Sequence, residues 1–241
     1  MKKIDQTLPG KKPLIGNLHP ITQVTRQVEN FFKSLGFSVI DGDEIATQHY
    51  NFDVLRMPKN HPARDMQDTF YLEDGRVLRT HTSSVQVRFM EKNEPPFRII
   101  VPGRCWRNER TDSTHDAEFH QFECLVIGEN IKVSNFKAIL EGFLKDMFGP
   151  SAIMRLRPGF FPYVEPGFEI DMKRKGDKEW LEMGGAGMVH PEVLENAGID
   201  SKKWRGFAWG FGLERIAMIK WGIEDIRLFH SGDLRFLNQF K

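Results

Sequence analysis

Residues 97–127 place two strand-like segments on either side of a polar loop, and this constrains the fold more than any other stretch. Residues 97–109 follow Pro95-Pro96 and read as one long strand. Residues 110–118 (RTDSTHDAE) carry no apolar period and read as a loop. Residues 119–127 then read as the returning strand of an antiparallel hairpin. Upstream, Ile21, Val24, Val28, Phe31, Phe32 and Leu35 mark one face of a helix over 19–35, with Pro20 in its first turn and Gly36 as C-cap. A strand follows at 37–40 and an irregular polar stretch at 41–75. Within and beyond that stretch, 69–72 and 77–80 read as two short strands joined by the turn at 73–75. A short helix fits 82–92, and a second amphipathic helix fits 133–148, stopped by Gly149-Pro150. Strands are expected at 152–157, 167–173 and 179–184, a bend at 184–187 (GGAG), a strand at 208–211, and a helix at 213–220 capped near Gly222. Hairpin-like neighbours interrupted by helices imply an α+β fold, an antiparallel sheet flanked by helices.

Composition narrows the function classes. Thirty-four Lys and Arg against 33 Asp and Glu leave a net charge of +1. That excludes a broadly basic coat and an acidic tail, though not a local basic patch. Two cysteines in 241 residues exclude a disulfide framework and point to a reducing compartment. No run approaches the roughly 18 apolar residues of a membrane span. The N-terminal lysines precede no apolar core, so a cytoplasmic address is expected. Pro9, Gly10, Pro13 and Gly16 make residues 1–18 an extended arm ahead of one domain over 19–241.

The two-residue strand period puts Cys105, Arg107 and Glu109 on one face of the hairpin, and Phe119, Gln121 and Glu123 on one face of the return strand. If these faces coincide, one surface carries a guanidinium, carboxylates, an amide and an aromatic ring. That surface is either a solvated face with cross-strand ion pairs or a polar cleft floor for a charged ligand. Cys105 and Cys124, with His115 and His120 between them, fit no common zinc spacing, and their parity puts the thiols on opposite faces. They read as structural thiols.

The segment GFAWGFGLER, 206–215, punctuates a strand with Gly206, Gly210 and Gly212 before a helix that carries Glu214 and Arg215. It is neither a dinucleotide fingerprint nor a P-loop, because no parallel βαβ unit surrounds it and no Lys-Ser/Thr pair follows. RNE at 107–109, the loop with His115, and Phe119 resemble motif 2 of the class II aminoacyl-tRNA synthetases; GFGLER at 210–215 resembles motif 3. The 19–35 helix with its following strand resembles motif 1 more loosely. NFDVLRMPKNHPAR (51–64), RTHTSSVQVR (79–88), FFPYVEPGFEID (160–171) and WLEMGGAGMVHP (180–191) resemble, within that class, the family of bacterial phenylalanyl-tRNA synthetase α subunits.

The resemblance implies activation of L-phenylalanine with ATP to phenylalanyl-adenylate and transfer to tRNA(Phe), with Mg²⁺ and in a complex of two α and two β subunits. It implies that Arg107 holds the α-phosphate and the carboxylate, that Arg215 holds the γ-phosphate end, and that His115 lies near the phosphates. Glu109 would accept from the adenine amine and Phe119 would stack on the ring. Gln121 and Glu123 would meet the α-ammonium, with His81, Ser83 and Gln86 nearby. Phe161 and Tyr163 would line the side-chain pocket, Ala208 its floor, and Gly185 would let the backbone close around it. Glu165 matches a Mg²⁺ position at the boundary with the β subunit. Each has a plainer alternative: Phe161 and Tyr163 as core aromatics, Ser83 as a helix N-cap, His81 as a satisfied buried histidine, His190-Pro191 as a turn. Tyr163 stands where the family carries phenylalanine, which leaves discrimination against tyrosine open. In the family a coiled-coil arm precedes the segment at which this chain begins, so the arm is expected to be missing. The alternative function is a class II paralogue acting as a non-catalytic binding module; the presence of Arg107, Glu109, Phe119, Gln121, Glu123 and Arg215 favours the enzyme.

Overall fold

Side-chain size alternates along the strand Arg205–Gly212: Phe207, Trp209 and Phe211 are buried on one face, while Gly206, Ala208, Gly210 and Gly212 take the other. The sheet around this strand is therefore thick behind and open in front. The structure, a computed structural model, describes residues 16–57 and 69–240 and the single positions 7, 10 and 59. Most of the arm expected at 1–18, and part of the irregular stretch at 41–75, lie outside the described residues.

The helices are α1 (Pro20–Ser34), α2 (Ser83–Lys92), α3 (Val133–Phe148), α4 (Pro191–Asn196), α5 (Leu213–Trp221) and α6 (Leu234–Leu237). The strands are β1 (Ser38–Val39), β2 (Ile45–Ala46), β3 (Val77–Leu78), β4 (Phe97–Trp106), β5 (Glu118–Gly128), β6 (Ile153–Pro158), β7 (Val164–Lys173), β8 (Leu181–Val189) and β9 (Arg205–Gly212). Seven of them form one sheet in the order β1-β4-β5-β9-β8-β7-β6. Every pairing in it is antiparallel except β1 with β4, which is parallel. This is an α+β fold.

Behind the sheet, α1, α3 and α5 close an aromatic core. Phe32, Phe122, Phe136, Phe143, Phe207, Trp209 and Phe211 are all buried in it. Phe122 sits 5.3 Å from Phe143, 5.7 Å from Phe32 and 5.9 Å from Phe211, centroid to centroid. These separations lie in the range of favourable tilted and edge-to-face ring pairs. In front, a second cluster gathers Val85 and Val87 of α2, Val193 and Leu194 of α4, and Ile99, Val101, Leu125 and Ile127 of the sheet.

Several expectations need correction. The hairpin expected from 69–72 and 77–80 shrinks to a single bridge, Tyr71 to Val77, and β3 pairs with β2 instead. β4 ends at Trp106 rather than 109, because the ladder's last partner is Glu118. The GGAG stretch is not a bend. It lies inside β8, where a Cβ on Gly185 would come within 2.6 Å of the Phe161 ring, so glycine there serves close packing. β7 starts at Val164 and β9 runs from 205 to 212, both longer than expected. His190-Pro191 is no plain turn: the His190 ring accepts from the Glu192 N–H and Pro191 opens α4.

Phe122→Ala empties the centre of the ring cluster and is expected to cost about 3–5 kcal/mol, read from the shift of the urea denaturation midpoint.

Candidate active site

The cleft lies on the front face of β4, β5, β8 and β9, where the sheet carries its small and polar residues. The β4–β5 register sets Cys105 opposite Phe119 and Gly103 opposite Gln121. The β5–β9 register sets Gln121 opposite Gly212, Glu123 opposite Gly210, and Leu125 opposite Ala208. The expected coincidence of faces is therefore real. A Cβ on Gly210 would lie 2.8 Å from Glu123 Cγ and 2.9 Å from Gln121 Nε2, so glycine leaves the room these two side chains occupy. The resulting cleft encloses about 460 Å³.

Its polar end is built on β4 and the loop after it. The Arg107 Nε–H donates to the Thr80 carbonyl at 3.3 Å. Its guanidinium stands 4.8 Å from the Phe119 ring centre and 3.7 Å from Glu109 Oε1. His115 is held in the loop by Asp112, whose Oδ1 accepts the backbone N–H of Thr114 at 2.7 Å and of His115 at 2.8 Å. Those bonds, led by the Thr114 N–H, hold the Asp112 carboxyl well below the usual range. Across the cleft Arg215, in the first turn of α5, donates from Nε and Nη2 to the Glu182 carbonyl at 3.3 and 3.2 Å. Its neighbour Glu214 also lines the cleft, and both its oxygens accept the His120 backbone N–H, at 2.9 and 2.8 Å.

The deeper end is built on α2. Ser83 is the first residue of that helix, not its N-cap, and its hydroxyl donates to Glu123 Oε2 at 2.5 Å. The Thr82 N–H donates to the other oxygen at 3.1 Å. Burial pushes the Glu123 carboxyl up to about 7, and these hydrogen bonds oppose the shift. His81 is held down to about 4, chiefly by burial and next by the Arg107 charge, so it is neutral near pH 7. Its Nε2 lies 2.9 Å from the Asn51 carbonyl; a carbonyl only accepts, so Nε2 carries the proton. His81 Nδ1 and Gln86 Nε2 are buried and, among the described residues, have no hydrogen-bond partner. One is an acceptor and one a donor, and both line the cleft.

The apolar wall comes from Phe161, Tyr163, Gly185 and Ala208, with the two rings 6.0 Å apart. Burial raises the Tyr163 hydroxyl above its usual range. Glu109, His115, Phe119, Gln121 and Gln86 line the same cleft, so every expected substrate-side residue meets there. Glu165 does not. It lies in a separate groove with Arg56 and Glu192, is 75% exposed, and sits 3.1 Å from His190 Nε2. Among the described residues no three His, Cys, Asp or Glu side chains gather to hold a metal ion. Cys105 and Cys124 are both buried and free. Sequence reasoning missed Asn51, which is fully buried beside Thr80, and the Val193 wall supplied by α4. A Pro followed by Glu at the start of α4 was the available signal for the latter.

The family model of the tRNA synthetase class II core domain (F) matches residues 3–240. The chain is 50% identical to the phenylalanine--tRNA ligase alpha subunit of Staphylococcus saprophyticus, covering 100% of this chain and 72% of that one. It is 51% identical to the subunit of the same name from Leptospira biflexa, covering 99% and 73%. Among solved structures it resembles a pyrrolysyl tRNA synthetase of Desulfitobacterium hafniense, with TM-score 0.68, 19% identity, and coverage of 87% and 72%. At that identity the likeness shows the fold alone.

Gly210→Ala is expected to displace Glu123 or Gln121 and cost about 1–3 kcal/mol as an overpacked site. A crystal structure of the variant checks it: the Ser83–Glu123 hydrogen bond is lost or the Gln121 amide is shifted, while the aromatic core behind the sheet is unchanged.

Proposed function

The chain belongs to the class II tRNA synthetase core family, and we infer that it activates L-phenylalanine with ATP and transfers the phenylalanyl group to tRNA(Phe). The observation that carries the mechanism is the cleft itself. Two arginines, a buried carboxylate and an apolar wall line a single cleft.

In the first step a carboxylate oxygen of phenylalanine attacks the α-phosphorus in line, the bond to the β-phosphoryl oxygen breaks, and pyrophosphate leaves. Two anions must approach each other, so charge neutralisation and positioning carry the rate. Arg107 is assigned to the α-phosphate and carboxylate, and Arg215 to the γ-phosphate end. Phe119 offers a stacking face for adenine and Glu109 accepts from its amine. His115, on the exposed loop, reaches the phosphates.

The α-ammonium meets Glu123 and Gln121, with the neutral His81 accepting at Nδ1 and Ser83 and Gln86 completing the shell. The side chain of phenylalanine lies against Phe161 and Tyr163 over Ala208, and Gly185 keeps that wall thin. In the second step a ribose hydroxyl at the tRNA 3′ end attacks the acyl carbon and AMP leaves. ATP is the substrate implied by the family. Mg²⁺ is typical of it, but Glu165 with His190 supplies too few ligands to hold the ion, so a Mg²⁺ site there requires donors beyond these two residues.

A name of "alpha subunit" among the relatives implies a multi-subunit complex. The reading here is two α and two β subunits, with residues 19–241 as the catalytic domain, working in the cytoplasm. No helix among the described residues is long and apolar enough to cross a membrane.

Arg107→Ala is expected to abolish phenylalanine-dependent ATP–pyrophosphate exchange in the assembled complex; near-parental exchange refutes the assignment. The pH dependence has a definite sign. The ammonium needs the Glu123 carboxylate, and the carboxyl titrates near 7. The KM for phenylalanine is therefore expected to rise as pH falls through about 7, up to about tenfold per unit. Glu123→Gln should flatten that dependence.

A further inference from the structure

Residues 49–57 touch both walls of the cleft without lining its polar end. His49–Asp53 is a single π-helical turn, with the Val54 N–H donating to the His49 carbonyl at 3.0 Å. Such turns are rare and concentrate at functional sites. The turn directs Asn51 inward, where it is fully buried. The Asn51 Nδ2–H donates to Thr80 Oγ1 at 3.0 Å, and its Oδ1 accepts the Thr80 N–H at 3.3 Å. The Asn51 carbonyl also accepts from His81.

Asn51 thus holds Thr80 through its side chain and His81 through its carbonyl, at the start of the segment 80–83. Each residue of that segment serves the site: the Thr80 carbonyl holds Arg107, His81 lines the cleft, and Thr82 and Ser83 hold Glu123. Further along, Arg56 has a φ of 62°, the only positive value outside glycine among the described residues. That conformation is costly for a long side chain and persists where surrounding contacts impose it. It delivers the Arg56 guanidinium to the opposite wall: Nη1 donates to the Pro162 carbonyl at 2.6 Å and Nε to Glu192 at 2.7 Å. Pro162 lies between Phe161 and Tyr163.

We propose that residues 49–56 form a brace across the cleft, with Asn51 and Arg56 as positioning residues: Asn51 sets the polar wall that carries both Arg107 and the Glu123 site, and Arg56 sets the side-chain wall. The proposal rests on the functional reading above for its kinetic consequences. The two ends have different consequences because they hold different walls. Asn51 stands behind residues that meet both substrates. Arg56 stands only behind the wall that meets the amino-acid side chain.

The test uses this chain assembled with its β subunit and follows pyrophosphate exchange with each substrate varied in turn. Arg56→Met is expected to raise the KM for phenylalanine about tenfold and leave that for ATP within about twofold, with Arg56→Lys recovering part of the loss. Asn51→Ala is expected to lower kcat at least about tenfold and raise both KM values. Phe143→Leu, in the core behind the sheet, serves as the stability control: it lowers Tm without separating the two KM values. If Asn51→Ala does not assemble, Thr80→Val removes one of its two side-chain bonds and should show a smaller loss in the same direction. Amide hydrogen exchange gives a readout independent of catalysis: Asn51→Ala speeds exchange over 80–83, and Arg56→Met speeds it over 163–164. Equal movement of both KM values by Arg56→Met, parental kinetics in Asn51→Ala, or unchanged exchange at the named amides overturns the brace. Absence of phenylalanine-dependent exchange in the parent complex overturns the functional reading instead, and the hydrogen-exchange comparison still decides the brace.

Discussion

The two-residue period of β5 and β9 governs the rest of the structure. On those strands each step along the chain changes face, so large and small side chains can be sorted without any further device. Phe207, Trp209 and Phe211 go back, with Phe122 beside them; Ala208, Gly210 and Gly212 come forward. The back face gains a ring cluster that fixes α1, α3 and α5. The front face gains volume. A one-residue slip in this register would put indole and phenyl rings into the cleft and glycines into the core. Stability and function therefore depend on the same register, and they draw on opposite faces of it.

The buried Glu123 carboxylate follows from that volume. A lone carboxylate taken out of water is expensive, and burial accordingly raises its pKa to about 7. Two donors, the Thr82 N–H and the Ser83 hydroxyl, offset part of the cost. Both sit at the start of α2, where the helix supplies unpaired backbone donors and a favourable dipole. A bound ammonium would supply the remaining compensation. The group is thus more stable as a carboxylate when the site is filled than when it is empty, which couples its ionisation to occupancy.

Much of this was legible in the sequence, and what was not has a physical cause. Parity along 97–109 and 119–127 grouped Arg107 with Glu109 and Phe119 with Gln121 and Glu123, but the observed ladder registers were needed to bring the two faces together, because a nine-residue loop does not fix the pairing. The same reasoning misread GGAG as a bend. Glycine marks both turns and close packing, and only the position of Phe161 distinguishes them at Gly185. The partner of β3 was also illegible: nearness in sequence favoured 69–72, while the chain brings residues 45–46 alongside instead. Asn51 carried no local signal at all. Its role depends on a π-helical turn and on Thr80, 29 residues away.

The arginines assigned to the phosphates differ in their partners from the arginines at the sheet edge. Arg157 is locked to Asp171 by two bonds, at 2.6 and 3.1 Å, and Arg155 joins the same carboxylate at 2.8 Å. Charge-assisted bonds of that kind compensate the guanidinium and leave it little to offer a ligand. Arg107 and Arg215 instead donate to main-chain carbonyls, at 3.2–3.3 Å, and the nearest carboxylate contact of Arg107 is 3.7 Å. A neutral carbonyl orients the side chain but does not cancel its charge. A phosphate that offers a bidentate, ionic partner is a stronger acceptor and would displace these bonds at small cost. Net charge near zero does not preclude binding a polyanion, because a ligand responds to the placement of individual guanidinium groups rather than to the sum over the chain.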